Sequence, residues 1–480
     1  MKKLLLFLCP FFLATAGIFA QPAVTRATGL DFDDDEYNNL PIQSKFAGSK
    51  FGELPLKASL RKYCPKPGDQ GKIGSCVGWS TCYGALTTQY AIRNGWTDKK
   101  KITENAFSAL FLYNLVRAEY PSCDGGTRIP IAMSKLQLTG TCKDKEFIRN
   151  NCSVVPADSL QKKAKNFAIQ DYTGLFTTLD EERVKLTKTK QSIADKKPVV
   201  VGMTMLDNFS LISKTDPVWH TDKGLGLPTG GHAMVVVGYD EGKEQFELLN
   251  SWGEDWADSG YCYIKYADYA KYCRYGFQML LRPESAAAQK SEVGGDFTFQ
   301  FLNDKANLKF SPASPVMGLP GNYTLEKKDW KVGDLFQLVA RNSEADEYVY
   351  VFSVDAKKEV HLHFPRSVES QTESFNETPL IPTKNVDVII PSPESALSIG
   401  QTGTDYLVVL FSKTKIDNIK QVMAAAKAAP PGLIYFEMRK ALGTRLVKST
   451  DVKYQTDKMN FTFNGPADAI VPIILAVESK

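Results

Sequence analysis

Apolar and polar positions change rhythm several times along the chain. At the N-terminus, Leu4 to Ala20 is a short apolar run behind Met1-Lys2-Lys3, interrupted by Pro10 and ending in Phe19-Ala20. A basic start, an apolar middle and a small residue at the cut predict a signal peptide over 1–20; a permanent membrane anchor needs about 20 uninterrupted apolar residues. From Cys76 the apolar residues Trp79, Tyr83, Leu86 and Tyr90 recur at helical spacing until Asn94-Gly95 supplies a stop. A second helix is expected over 105–117, carrying Phe107, Leu110, Phe111 and Leu115. Farther on, Val199 to Met205 reads as a buried strand, and 234–239 with 245–250, joined by Asp240-Glu241-Gly242-Lys243, read as a β-hairpin. Strands are also expected at 261–265 and 277–281.

Between these elements the chain is polar. Residues 21–60, with the acidic run Asp31-Phe32-Asp33-Asp34-Asp35-Glu36, read as an N-terminal arm on the surface, its acidic run a solvated loop rather than a calcium site. The helix expected over 181–194 carries Lys185, Lys188 and Lys190, which read as a solvated face. A polar linker is expected over 284–296, beginning beside Pro283 and rich in Ala, Ser and Gly. Beyond it the pattern turns strand-like at 297–302, 335–340, 348–354, 359–364, 386–390 and 406–411, with helices at 417–428 and 433–442. The fold class is α+β: a mixed domain over 61–283, then a β-rich, sandwich-like accessory domain over 297–480 with peripheral helices.

Composition bounds the function. A chain of 480 residues with 43% hydrophobic positions has enough apolar material for two cores. Its net charge of +4 is small, and Lys2 and Lys3 supply two of those positives. Neither nucleic acid nor an anionic membrane surface is implied as a partner. Nine cysteines are present, and apart from Cys9 in the leader all lie between Cys64 and Cys273. The leader points to the periplasm or the extracellular space, where disulfides persist. Cys142 with Cys152, and Cys262 with Cys273, are candidates for local bridges, Cys82 is a candidate buried free thiol, and the connectivity stays open. No Cys-x-x-Cys pair occurs, so neither zinc nor any other metal or cofactor is implied.

The candidate chemistry sits at Gln70-Gly71-Lys72-Ile73-Gly74-Ser75-Cys76, a glycine-punctuated loop whose cysteine opens a helix. A thiol at a helix N-terminus meets unpaired N–H groups and the positive end of the helix dipole, both of which favour the thiolate. Gln70 carries an amide donor close enough to face charge developing near that sulfur. His232 opens the first hairpin strand and Asn250 closes the second, so a symmetric hairpin brings them within about one register step.

Together these segments resemble the papain-like cysteine peptidases. The resemblance covers roughly Cys64 to Leu281 and implies a two-lobed fold, a helical lobe carrying Cys76 and a β-barrel lobe carrying His232 and Asn250, with the cleft between. It implies that Cys76 is the nucleophile, His232 the base, Asn250 the orienting partner and Gln70 an oxyanion donor, with Trp252 of Asn250-Ser251-Trp252-Gly253 shielding the His–Asn bond. It also implies that Gly125 and Gly126 of Cys123-Asp124-Gly125-Gly126 edge the cleft and bind substrate backbone. The family's usual cysteine three residues before the nucleophile is absent, since Ile73 stands there, so Cys123 pairs elsewhere or stays free. Val77 and Ala257 replace an aromatic and a glycine common in the family, and the arm is too short for the family's large inhibitory propeptide. Residues 333–365 look like a bacterial accessory domain of unknown function found beside secreted peptidases, which suggests a role in binding a protein or cell-surface partner. His361-x-His363 within it reads as an exposed strand pair rather than a metal site. The function implied is an exported peptidase acting on peptide or protein substrates; the alternatives are a recognition module on the same frame without turnover, and a thiol amidase or transferase.

Overall fold

The computed structural model describes residues 27–44, 47–48, 54–118, 122–147, 151–283, 290–302, 308–367, 376–455 and 458–480. The expected signal peptide and the first part of the expected linker, 284–289, lie outside the described residues.

The first unit has two halves. In the helical half, one continuous helix runs from Cys76 to Arg93 with wide π-helical turns from Trp79 to Leu86, and ends at Asn94 with Gly95 in the left-handed region. The spacing of its apolar residues predicts one buried face, but every residue of Trp79–Leu86 is buried, because the helix is wedged between the sheet and the helix Ala109–Val116. Gly78 permits this: a Cβ there would lie 2.4 Å from the Ala109 carbonyl oxygen. The second helix starts at Ala109 rather than 105 because Ser108 caps it, its side chain accepting from the Phe111 N–H. A separate helix, Lys99–Glu104, capped by Asp98, precedes it and has no counterpart in the expectation.

The other half is a twisted sheet with the strand order Ile169–Gly174, Cys273–Leu281, Val199–Leu206, Pro228–Asp240, Gln245–Leu249, Tyr261–Lys265, Val218–Trp219. Val199–Leu206 is buried on both faces, which accounts for its unbroken apolar run. The helix Glu182–Ala194 forms as expected, but its lysines are not a solvated face. Lys185 Nζ donates to the Ala270 and Cys273 carbonyls, Lys188 Nζ to the Ser44 carbonyl, and Lys190 pairs with Glu241. The ammonium groups of Lys185 and Lys188 satisfy backbone carbonyls, and burial brings Lys188 down to about 8.

The second unit is the expected sandwich. One sheet runs Asp387–Ile390, Leu335–Asn342, Lys290–Leu302, Asn460–Pro466; the other runs Asn322–Leu325, Ile470–Ser479, Gly403–Ser412, Glu347–Val354, Val360–Phe364. Val349 and Val351 face the first sheet, while Tyr348, Tyr350 and Phe352 face the helices Ile419–Ala428 and Ile434–Leu442. This strand is therefore buried on both faces and lacks polar alternation. The linker is shorter than expected: 290–302 is a strand, with Val293, Phe297 and Phe299 in the sandwich core. His363 is not an exposed residue: its Nε2 lies 2.9 Å from Ser353 Oγ, and burial holds its pKa down at about 4.

The N-terminal arm joins the two units. Its acidic run is not a solvated loop: Asp34–Asn38 is a short helix capped by Asp33, Tyr37 is fully buried and stacked on Tyr275, and Arg128 and Arg274 neutralise Asp33, Glu36 and Asp34. Pro41–Ile42 pairs with Ile169–Gly174 of the first unit on one side and Asn376–Glu377 of the second on the other.

Among the described residues one disulfide, Cys123–Cys152, is present, so Cys123 finds its partner 29 residues on. Cys142, Cys262 and Cys273, set against the expected local bridges, are buried free thiols, as are Cys64, Cys76 and Cys82. Peptide mapping of the non-reduced protein is expected to show the 123–152 link, and the five buried thiols other than Cys76 should resist alkylation until denaturant is added.

Candidate active site

The loop before Cys76 is stitched to the end of the hairpin. Gln70 N–H donates to the Ser251 carbonyl at 2.9 Å, Gly253 N–H donates to the Gly68 carbonyl at 2.9 Å, and Asp69 bridges Trp252. These bonds tie the helical half to the sheet half beside the cysteine. The glycines serve close approach here: a Cβ on Gly68 would sit 2.0 Å from the Trp79 ring.

Cys76 is the first residue of its helix and is fully buried. Burial pushes its thiol up to about 12; the N–H groups of Ala233 and Val77 pull the other way, and Asp31 adds to the rise. The Ala233 contact puts the sulfur against the residue that follows His232. His232 is fully buried, and its Nε2 lies 2.8 Å from Asn250 Oδ1. Its Nδ1 has no hydrogen-bond partner among the described residues, so this is the nitrogen left for the thiol. Burial lowers the imidazole to about 4, against the smaller opposing effect of Asn250.

The hairpin is not symmetric. Val235 pairs with Leu249 and Gly238 with Glu247, with a bulge between, so the ladder continued by one pair sets Asn250 opposite Met234. Asn250 therefore reaches His232 diagonally, on the same face of the sheet. The Trp252 ring lies 5.4 Å from the His232 ring, and Phe209 and Trp256 pack against Trp252 in turn. Phe209 belongs to the short 3-10 helix Asp207–Leu211, which has no signal in the sequence.

Gln70 makes contacts that spacing alone cannot supply. Its Oε1 accepts from Ser251 Oγ at 2.5 Å, which turns its amide nitrogen toward the cleft. Ser251 is thus a positioning residue missed from the sequence, although it sits beside Asn250. The amide nitrogen donates to the Ile73 carbonyl and, at 3.1 and 3.2 Å, to the carbonyls of Ala27 and Thr28.

Those last partners belong to the arm, which lies across the cleft. Leu30 N–H donates to the Gly231 carbonyl, Thr127 N–H to the Gly29 carbonyl, and Asp31 N–H to the Thr127 carbonyl. Leu30 is almost fully buried, its side chain near Gly202 and Ile129. Gly29, at φ +118, passes so close that a Cβ would lie 2.1 Å from the Gly74 carbonyl oxygen. Gly125 and Gly126 edge this cleft: the Gly125 carbonyl accepts from Tyr113 Oη, and a Cβ on Gly126 would meet the Gly29 carbonyl oxygen at 2.8 Å. The arm is short, but extended backbone needs few residues to span a cleft. It brings Asp31 to the site, whose charge adds to the rise of a thiol that a helix N-terminus alone would lower.

Residues 55–280 match the family model described as papain family cysteine protease, and 329–415 match a domain of unknown function, DUF4384. An uncharacterized peptidase C1-like protein of Acanthamoeba polyphaga mimivirus is 28% identical over 211 residues, covering 41% of this chain and 63% of that protein. A cathepsin B-like protein of Giardia intestinalis is 26% identical over 208 residues, with the same two shares, 41% and 63%. The chain thus spans less than two thirds of these relatives' length. Among solved structures, xylellain, a cysteine protease from Xylella fastidiosa, is 21% identical with a TM-score of 0.44, over 54% of this chain and 97% of that one.

The neutral histidine sets a pH dependence. An unfolded imidazole titrates near about 6.5, above the folded value of about 4 for His232, so the unfolded chain binds the extra proton between the two. Stability is complete above the higher value and falls as pH drops toward the lower one. His363 titrates in the same direction. The thermal midpoint is expected to fall from pH 6.5 to pH 4, less steeply in His363→Gln; a flat profile would contradict neutral burial.

Proposed function

We propose that this chain, which carries a papain-family cysteine protease domain at residues 55–280, is an exported thiol peptidase that hydrolyses peptide bonds in proteins or peptides. The observation that carries the reading is the 2.8 Å contact between His232 Nε2 and Asn250 Oδ1, which leaves Nδ1 for a cysteine whose sulfur lies against Ala233. With Asn250 accepting at Nε2, the neutral imidazole that carries its proton there has an acceptor at Nδ1. His232 takes the Cys76 proton there, and the sulfur attacks the scissile carbonyl carbon. The carbonyl oxygen, now negative, is held by the Cys76 backbone N–H and Gln70 Nε2. His232 returns the proton to the leaving amine, and water then resolves the thioester, with the same histidine as base. Trp252, Trp256 and Phe209 keep water from the His–Asn bond, which in dry surroundings orients the ring more firmly. Gly125 and Gly126 leave room for a substrate backbone along the cleft edge.

Export rests on the Met1–Ala20 leader pattern and is supported by the Cys123–Cys152 disulfide, which suits an oxidising compartment. No helix among the described residues is long and apolar enough to cross a membrane. The reading without turnover draws on the covered, neutral state of Cys76 and His232.

Hydrolysis of a fluorogenic peptide library by the signal-free protein, with Cys76→Ala in parallel, tests the proposal. Cleavage is expected only with the cysteine present. Gln70→Ala should lower kcat/KM by about 10²-fold with KM little changed, the usual effect of losing one oxyanion donor. Asn250→Ala should lower kcat and leave the fold intact. A folded protein whose Cys76 alkylates while no peptide is cut would favour amidase or transferase chemistry or a need for activation; no cleavage and no alkylation would favour the reading without turnover.

A further inference from the structure

The second unit matches a domain of unknown function, and its contacts with the arm suggest what it does here. The arm is held at three successive places. Residues 27–31 lie in the cleft through backbone bonds to Gly71, Thr127 and Gly231. Asp33 to Tyr37 are fixed to the first unit, by Arg128 and by the buried Tyr37, whose hydroxyl donates to the Phe176 carbonyl at 2.6 Å. From residue 39 onward the arm enters the second unit's grip. Asn376 Nδ2 donates to the Asn39 carbonyl at 3.0 Å, Pro41 and Ile42 pair in parallel with Asn376 and Glu377, and Thr378 N–H donates to the Ile42 carbonyl at 2.9 Å. Farther along, Ala47 and Gly48 add to the sheet beside Val388 and Asp387.

The hold has a rigid base. Glu377 is fully buried and its carboxylate is bonded by Arg366, whose guanidinium also donates to Ser44 Oγ of the arm at 3.1 Å and to the Pro391 carbonyl. A buried ion pair of this kind tolerates little movement, since separating it leaves a charge without solvent. Asn376–Glu377 is thus a fixed edge against which the arm strand docks, and that docked strand is itself paired with Ile169–Gly174.

We propose that the second unit is the keeper of the arm: it holds residues 39–42 against Asn376–Thr378 and residues 47–48 at a sandwich strand, so that residues 27–31 stay seated over Cys76, and loosening this hold opens the cleft. The physical basis is tethering. Five extended residues with a single buried side chain bind a cleft weakly as a free peptide, but a segment anchored nearby competes at an effective concentration in about the millimolar range. Loss of the bonds at Asn376–Thr378 frees one side of the Pro41–Ile42 strand and leaves residues 27–31 held near the cleft by the Asp33–Tyr37 clamp and the pairing with Ile169–Gly174 alone. A strand-forming segment of another protein that pairs with the same edge would release the arm in the same way. This inference rests on the reading of the cleft as a peptidase site, but its test does not.

The test follows the alkylation rate of Cys76 by iodoacetamide in the full signal-free chain, beside peptide cleavage. Leu30→Asp, which disrupts cleft occupancy directly, should speed alkylation at least tenfold. Asn376→Ala and Thr378→Pro, which touch nothing in the cleft, should speed it at least threefold, with cleavage rising in parallel. Since Thr378→Pro risks misfolding, Asn376→Ala is also followed by hydrogen exchange, where the Leu30 and Asp31 amides should lose protection while the sandwich strands keep theirs. Unchanged alkylation and unchanged exchange in a folded Asn376→Ala, with Leu30→Asp accelerated, would overturn the keeper role. Faster alkylation without cleavage would support the keeper role and count against the peptidase reading instead.

Discussion

The backbone bonds between Gln70 and Ser251, and between Gly253 and Gly68, are the constraint on which the site depends. Cys76 comes from a helix and His232 and Asn250 from a sheet, and nothing in either element fixes the distance between them. Reactive groups must sit within a few tenths of an ångström of productive geometry to act together. Two loop-to-loop bonds beside the nucleophile set that distance, and Ser251 uses its side chain to orient the amide of Gln70 in the same place. The aromatic group of Trp252, Trp256 and Phe209 then closes over the His–Asn contact.

The second theme is charge in a dry place. A thiolate and an imidazolium are both ions, and a site with no exposed surface at Cys76 or His232 disfavours each of them. Burial raises the thiol and lowers the imidazole, so the pair rests neutral, and the helix N-terminus is too weak to reverse this. The arm is what completes the burial. Its carbonyls at Ala27 and Thr28 take the donor of Gln70, and Asp31 adds a negative charge that disfavours the thiolate further. The same segment that lies across the cleft thereby also disfavours the thiolate electrostatically.

Much of this was legible in the chain. The valine run of 199–201, the hairpin around Asp240 to Lys243 and the strand Glu347–Val354 follow from local pattern, because a strand buried on both faces has to be apolar throughout. Gln70, Cys76, His232 and Asn250 are recognisable from their order, Gln six residues before Cys and His and Asn across a hairpin, and from the family resemblance that order carries. Three features were misread for a common reason. Lys185 and Lys188 look solvated until their carbonyl partners at Cys273 and Ser44 are seen, and the acidic run looks like a loop until Arg128 and Arg274 arrive from elsewhere. Residues 290–295 look like a linker until Asn460–Pro466 pairs with them.

By itself the sequence determined the two units and most of their elements through periodicity, and pointed to the four residues of the candidate site through their spacing and the resemblance it carries. Only the tertiary structure decided where the arm goes, which cysteines pair, how Ser251 and Phe209 serve the site, and that Cys76 rests as a buried thiol. Each of these depends on a contact between residues far apart in the chain. Such contacts leave no local pattern, because a polar residue that will be neutralised by a distant partner is written with the same letters as one that faces water.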